Sequence, residues 1–168
     1  EQSQKVGLPC GGRLSLVIER IDEAAQLQKV FDTLQARGQI ARRVCLNTGE
    51  TSLHPVQQEE LLLFDGDSLV KVFGPRWRLL LIGAGELTRR VAQLGLTLDY
   101  AVTICDSRPE YAASWLVEGT EFLSSPTAET VRDFHPDPQT VVLALSHTPA
   151  LDDAALTAAL NSEACYIG

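Results

Sequence analysis

The residues of this chain that could do chemistry fall in a few short stretches. Gly83-Ala84-Gly85 closes the apolar run RLLLIGAG (78–85) and opens the segment ELTRRVAQLGLTL. A dinucleotide-binding fold puts its phosphate turn at such a junction: Gly83 makes the tight turn, Gly85 lets phosphate approach the backbone, and helix N-terminal amides meet the anion. Asp106 ends the next apolar run, 21 residues after Gly85. A carboxylate there suits the 2′-hydroxyl of a ribose. Arg108, two residues on, can pair with a phosphate or with Asp106 itself. The third glycine of the usual pattern is replaced by Thr88; its side chain should push the helix from the strand or demand local repacking. His147, in SHTPALDD (146–153), follows the apolar run TVVLALS (140–146) and so faces the same rim as Gly85 and Asp106. It could donate a proton or a hydrogen bond to an anion, or serve as a loop residue or a cap for the helix beginning near Ala150. Cys10 stands in GLPCGG (7–12) between Pro9 and the pair Gly11-Gly12. Pro fixes its own φ and the glycines admit angles other residues avoid. The turn either buries Cys10 as a small hydrophobe or presents its thiol, with little bulk around it, to a ligand.

These residues need elements to position them. RLSLVIER (13–20) alternates apolar and polar residues and predicts a strand. DEAAQLQKVFDTLQAR (22–37) has near-helical apolar spacing, with Asp22 as N-cap and Gly38 as the residue after the end. ARRVCLN, TSLHP, ELLLF and DGDSLVKVF read as short strands with glycine-bearing turns. Residues 1–74 are thus expected to form a small α+β segment, with GPRW (74–77) as the joint. The second half alternates strands and helices. YAVTICD (100–106), TEFLSS (120–125), TVVLALS and CYIG are expected strands. TAETVRDF (127–134), with Thr127 as N-cap, and ALDDAALTAALNS are expected helices, Asp152 and Asp153 offsetting the dipole of the latter. Alternation of this kind implies βαβ units, so residues 75–168 are expected to be a Rossmann-like domain with a parallel sheet: an α/β fold preceded by α+β. The phosphate site of such a domain is either used or vestigial, since fold does not fix function.

Composition bounds the rest. The chain has 168 residues, 45% hydrophobic, with net charge −8. That charge argues against nucleic acid or anionic membrane as partners. No apolar run reaches the roughly 18 residues of a membrane-spanning helix. Cys10, Cys45, Cys105 and Cys165 are far apart and form no C-x-x-C pair, which fits reduced thiols in the cytoplasm better than a zinc site or a disulfide scaffold. His54 and His135 sit beside prolines in expected loops and receive no role. With no Met anywhere and a strand-like ending, the chain reads as a piece of a longer protein.

GLPCGG, LLLIGAG (79–85), VTICDSRPEYA (102–112), LSHTPALDDAAL (145–156) and YIG (166–168) together resemble the XdhC/CoxI family, accessory proteins of molybdenum hydroxylases such as xanthine dehydrogenase. The resemblance implies a cytoplasmic, self-associating chaperone rather than an enzyme. It would bind molybdenum cofactor, assist its sulfuration by a partner sulfurtransferase, and deliver it to a xanthine-dehydrogenase-type apo-enzyme. By the same resemblance Cys10 is the cofactor-contacting thiol, a soft ligand to which Gly11 and Gly12 give access. Gly83, Gly85, Asp106 and Arg108 match the family's loop and strand end, and His147 matches its later histidine. Two departures stand out. The family's His-Val-Gly after the glycine loop is replaced by Glu86, Leu87 and Thr88, which puts negative charge where an anion would sit. The family's earlier N-terminal region and its later Gly-Ser-Arg-Arg segment are missing, so the chain reads as an internal portion or a short divergent member. The competing readings are an NAD(P)-dependent oxidoreductase using the Gly83–Asp106 site and a nucleotide-sensing module.

Overall fold

The computed structural model of the chain describes residues 16–21, 24–56 and 62–168. They fall into two compact units, divided between Gly74 and Pro75.

The first unit carries helix α1 (Ala24–Gln35) and strands β1 (Ile40–Cys45), β2 (Thr51–His54), β3 (Leu62–Phe64) and β4 (Ser68–Phe73). The strands form an antiparallel four-stranded sheet in the order β2-β1-β4-β3. Among the described residues, Val30 of α1 and Ile40, Ala41 and Val44 of β1 are its buried apolar residues. Gln26 ties α1 to β2 by exchanging hydrogen bonds with Thr51. The β3–β4 turn is fixed by Asp65, whose carboxylate accepts the backbone N–H groups of Asp67 and Ser68.

Two expectations fail in this unit. Residues 16–21 form no strand: Leu16 is 74% and Ile18 92% exposed, and Glu19 is ion-paired with Arg42 on β1. Alternation of apolar and polar residues does not by itself make a ladder; the backbone must also pair with a neighbouring strand. The residue that turns the chain after α1 is Arg37 at φ 61°, not Gly38. Hydrogen bonds from Gly38 N–H to Thr33 and from Arg37 N–H to Leu34 close a Schellman motif one residue early. The expected cap Asp22 and the whole GLPCGG stretch, with Cys10, Gly11 and Gly12, lie outside the described residues.

The second unit alternates strands and helices: β5 (Arg78–Ile82), α2 (Glu86–Thr97), β6 (Ala101–Cys105), α3 (Pro109–Ser114), β7 (Glu121–Leu123), α4 (Thr127–Phe134), β8 (Thr140–Ala144), α5 (Pro149–Ala159) and β9 (Tyr166–Ile167). The five strands are parallel, in the order β7-β6-β5-β8-β9. This is a Rossmann-like sheet with β5 at its centre. Leu80 and Ile82 face a layer made with Val131, Val142, Ala155 and Ala159; Leu79 and Leu81 face the other, with Ala92, Val102 and Ile104. Leu80, Leu81 and Ile82 are fully buried; each contributes on the order of 2 kcal/mol to the fold. No helix of the described residues is long and apolar enough to cross a membrane.

Thr127 is not the N-cap of α4. Pro126 holds that place, and the Thr127 hydroxyl donates to the carbonyl of Leu151, linking α4 to α5. Thr88 does not push α2 away either. It is fully buried, and the close helix–sheet contact falls at Gly95, where a Cβ would meet Leu79 Cδ2 at 2.7 Å and Val102 Cγ2 at 3.1 Å.

Candidate functional site

The chain crosses from β7 at one edge to β8 on the far side of β5, so the order of strands reverses between β5 and β8. Ligands of open parallel sheets bind at such a reversal, outside the carboxyl ends of the strands. Two loops meet there: Gly83-Ala84-Gly85 after β5, and Ser146-His147-Thr148 after β8. Gly83 has φ +90°, and a Cβ on it would lie 2.4 Å from Ser146 Cα. Only glycine fits this position, because of both its conformation and its neighbour. Gly85 differs. An added Cβ there meets nothing within 4 Å, so the space over it is open.

Asp106 lies under the glycine loop, fully buried. Its Oδ2 accepts the N–H of Ala84 at 2.9 Å and Nη2 of Arg108 at 2.7 Å. Its Oδ1 accepts Nε of Arg108 at 2.9 Å and the Arg108 backbone N–H at 3.1 Å. Burial pushes the Asp106 carboxyl upward, but the Arg108 guanidinium and the two backbone N–H groups outweigh it and hold it below the usual carboxylate range. Arg108 pairs with Asp106, one of the two partners open to it in the sequence. The guanidinium also lies over the ring of Tyr111, 4.0 Å from its centroid. Tyr111 gave no signal of its own in the sequence; the clue is Pro109, which starts α3 one residue after Arg108 and so sets Tyr111 beside it.

Glu86 is the first residue of α2, and its charge is not left facing the loop. It pairs with Arg90 at 2.9 Å and Arg89 at 3.5 Å. His147 is exposed, at φ +58°, and its ring makes no hydrogen bond among the described residues. It does not cap α5; Thr148 is the N-cap. Asp152 does more than face a helix dipole: its carboxylate accepts the Ser146 N–H at 3.1 Å and so fixes the loop that packs on Gly83. The structure therefore brings Gly83, Gly85, Asp106 and Arg108 together and sets His147 next to Ser146 on the same rim. Among the described residues no group of three or more His, Cys, Asp and Glu side chains could hold a metal ion.

A feature of the first unit was not read from the sequence. Cys45 ends β1 at the turn Leu46–Gly49, where hydrogen bonds from the Thr48 hydroxyl and from the backbone at Thr48 and Asn47 lower its pKa. Cys105 is the opposite case: burial against α4 raises its pKa.

Residues 79–168 match the XdhC Rossmann domain. Among solved structures, the chain is similar to a protein from Bacillus halodurans described as a xanthine dehydrogenase, with a TM-score of 0.68 and 19% identity, over 85% of this chain and 51% of that one. At that identity the likeness is one of fold, and this chain spans about half the length of that protein. No curated protein matches. The matched domain takes in every element from the central strand of the parallel sheet to its last, and the chain belongs to the XdhC family.

Proposed function

We propose that this protein binds molybdenum cofactor at the β5–β8 rim and serves as an accessory factor to a molybdoenzyme of the xanthine dehydrogenase type, without catalysis of its own. The observation that carries the reading is the XdhC Rossmann domain over residues 79–168, in which Gly85 leaves open space and Arg108 is tied through Asp106 to the same glycine loop. A bulky ligand with an anionic end fits that arrangement. The cofactor supplies the molybdenum and its sulfur ligands; the chain contributes reception and shielding. Gly83, Gly85, Arg108 and His147 form the rim, and Asp106 holds it. Cys10, between Pro9 and Gly11-Gly12, is the candidate thiol contact. A sulfurtransferase, the client enzyme and a second copy of this chain are the proposed partners, in the cytoplasm.

Purified protein is titrated with molybdenum cofactor, with NADH as competitor. Saturable uptake that NADH does not displace and that Cys10→Ala weakens is the expected result. Absence of uptake together with tight NADH binding would overturn the carrier reading in favour of a nicotinamide-dependent oxidoreductase or a nucleotide sensor.

A further inference from the structure

A carboxylate at the end of the second strand ordinarily serves a Rossmann site by accepting the hydroxyls of a ribose. A carboxylate offers about four lone-pair positions. In Asp106 all are engaged, two by the backbone N–H groups of Ala84 and Arg108 and two by the Arg108 guanidinium, and the residue has no exposed surface. A diol would have to break this set to be read.

The guanidinium is different. Arg108 uses Nε and Nη2 toward Asp106, while Nη1 makes no hydrogen bond among the described residues. The side chain is 27% exposed. Asp106 holds its Nε–Nη2 edge, and the guanidinium lies over the ring of Tyr111. Ala84 N–H and Arg108 Nη2 share the same oxygen of Asp106, so the guanidinium lies within two hydrogen bonds of the glycine loop, whose next residue, Gly85, leaves open space. The nearest acid of the loop, Glu86, is engaged by Arg89 and Arg90. Glu110, at the start of α3, is exposed.

We infer that this rim reads a phosphate monoester, with Arg108 as the contacting cation and Asp106 as a positioning residue, and that it does not read a free vicinal diol. A guanidinium held in one plane is suited to the oxygens of a phosphate dianion. The inference deepens the cofactor reading above and rests on its placement of the ligand at this rim. The monoester can come from the end of a pterin cofactor or from a nucleotide, and the test separates them.

The full chain is titrated calorimetrically with 2′,5′-ADP and adenosine, and with molybdopterin before and after phosphatase treatment. The phosphate-bearing member of at least one pair is expected to bind at least ~10-fold more tightly than its partner, and Arg108→Gln to remove that difference. Circular dichroism of Arg108→Gln and of Arg108→Lys, which keeps the charge, controls for folding. Discrimination shown by 2′,5′-ADP, with no uptake of molybdopterin, keeps the monoester site and overturns the cofactor reading. Uptake of molybdopterin indifferent to its phosphate or to Arg108→Gln, with no discrimination between 2′,5′-ADP and adenosine, overturns the inference and leaves the carrier standing. No binding of either phosphate-bearing probe overturns the inference and the cofactor reading together.

Discussion

At the scale of the residue, Asp106 is the clearest case of a side chain whose place was legible and whose state was not. Its distance from Gly85 and its position after a strand follow from the sequence. Which donors it meets depends on the Arg108 rotamer, the Tyr111 ring and the Ala84 amide, which come together only in the folded unit. Asp106→Asn keeps an acceptor for Ala84 but loses the charge under Arg108. The expected cost at pH 7 is roughly 2 kcal/mol, within the range for a hydrogen-bonded charged group. Because the folded carboxyl lies below the ordinary range, this contribution is present in full above the unfolded value of about 3.9 and is lost as pH falls through the lower folded value. Thermal melts of parent and variant should therefore stay separated by a constant amount from pH 5 to 8 and converge below pH ~4. The cysteines make a second case, since nothing in CLNTGE distinguishes Cys45 until the turn points donors at its sulfur. Brief alkylation at neutral pH, mapped by mass spectrometry, should mark Cys45 well ahead of the buried Cys105.

At the scale of the element, hydrophobic periodicity carried most of the reading. The strands of both sheets and the helices α1, α2, α4 and α5 stand where apolar spacing put them. Alternation misled for Leu16–Ile21, which pairs with no strand of the sheet although the pattern is there. The six-residue helix α3 was too short to announce itself by period. The glycine loop separates two roles that the motif alone merges. Gly83→Ala would place a methyl group inside the Ser146 backbone at a φ that L residues rarely adopt. It should cost roughly 3 kcal/mol or more by denaturant unfolding. Gly85→Ala, at an extended N-cap with open space around it, should stay within ~1 kcal/mol of the parent. Equal losses at both positions would mean that the loop is not held as described.

At the scale of the whole molecule, the change from short antiparallel strands to strands alternating with helices was plain in the sequence, and it separates the two units. The family was legible in motifs scattered along the chain. Their physical content was less so, because Thr88 in place of glycine suggested a spoiled phosphate turn. The close contact simply sits at Gly95, and a distance measured along the chain from Gly83 cannot reveal that. The contact of Gly83 with Ser146 has a consequence for the shape of the rim. It rivets the loops after β5 and β8 backbone to backbone, with Asp152 as a brace behind them. A rim built this way is a mould of fixed width rather than a jaw. On the carrier reading proposed above, a ligand would be taken up and handed on without the two loops parting.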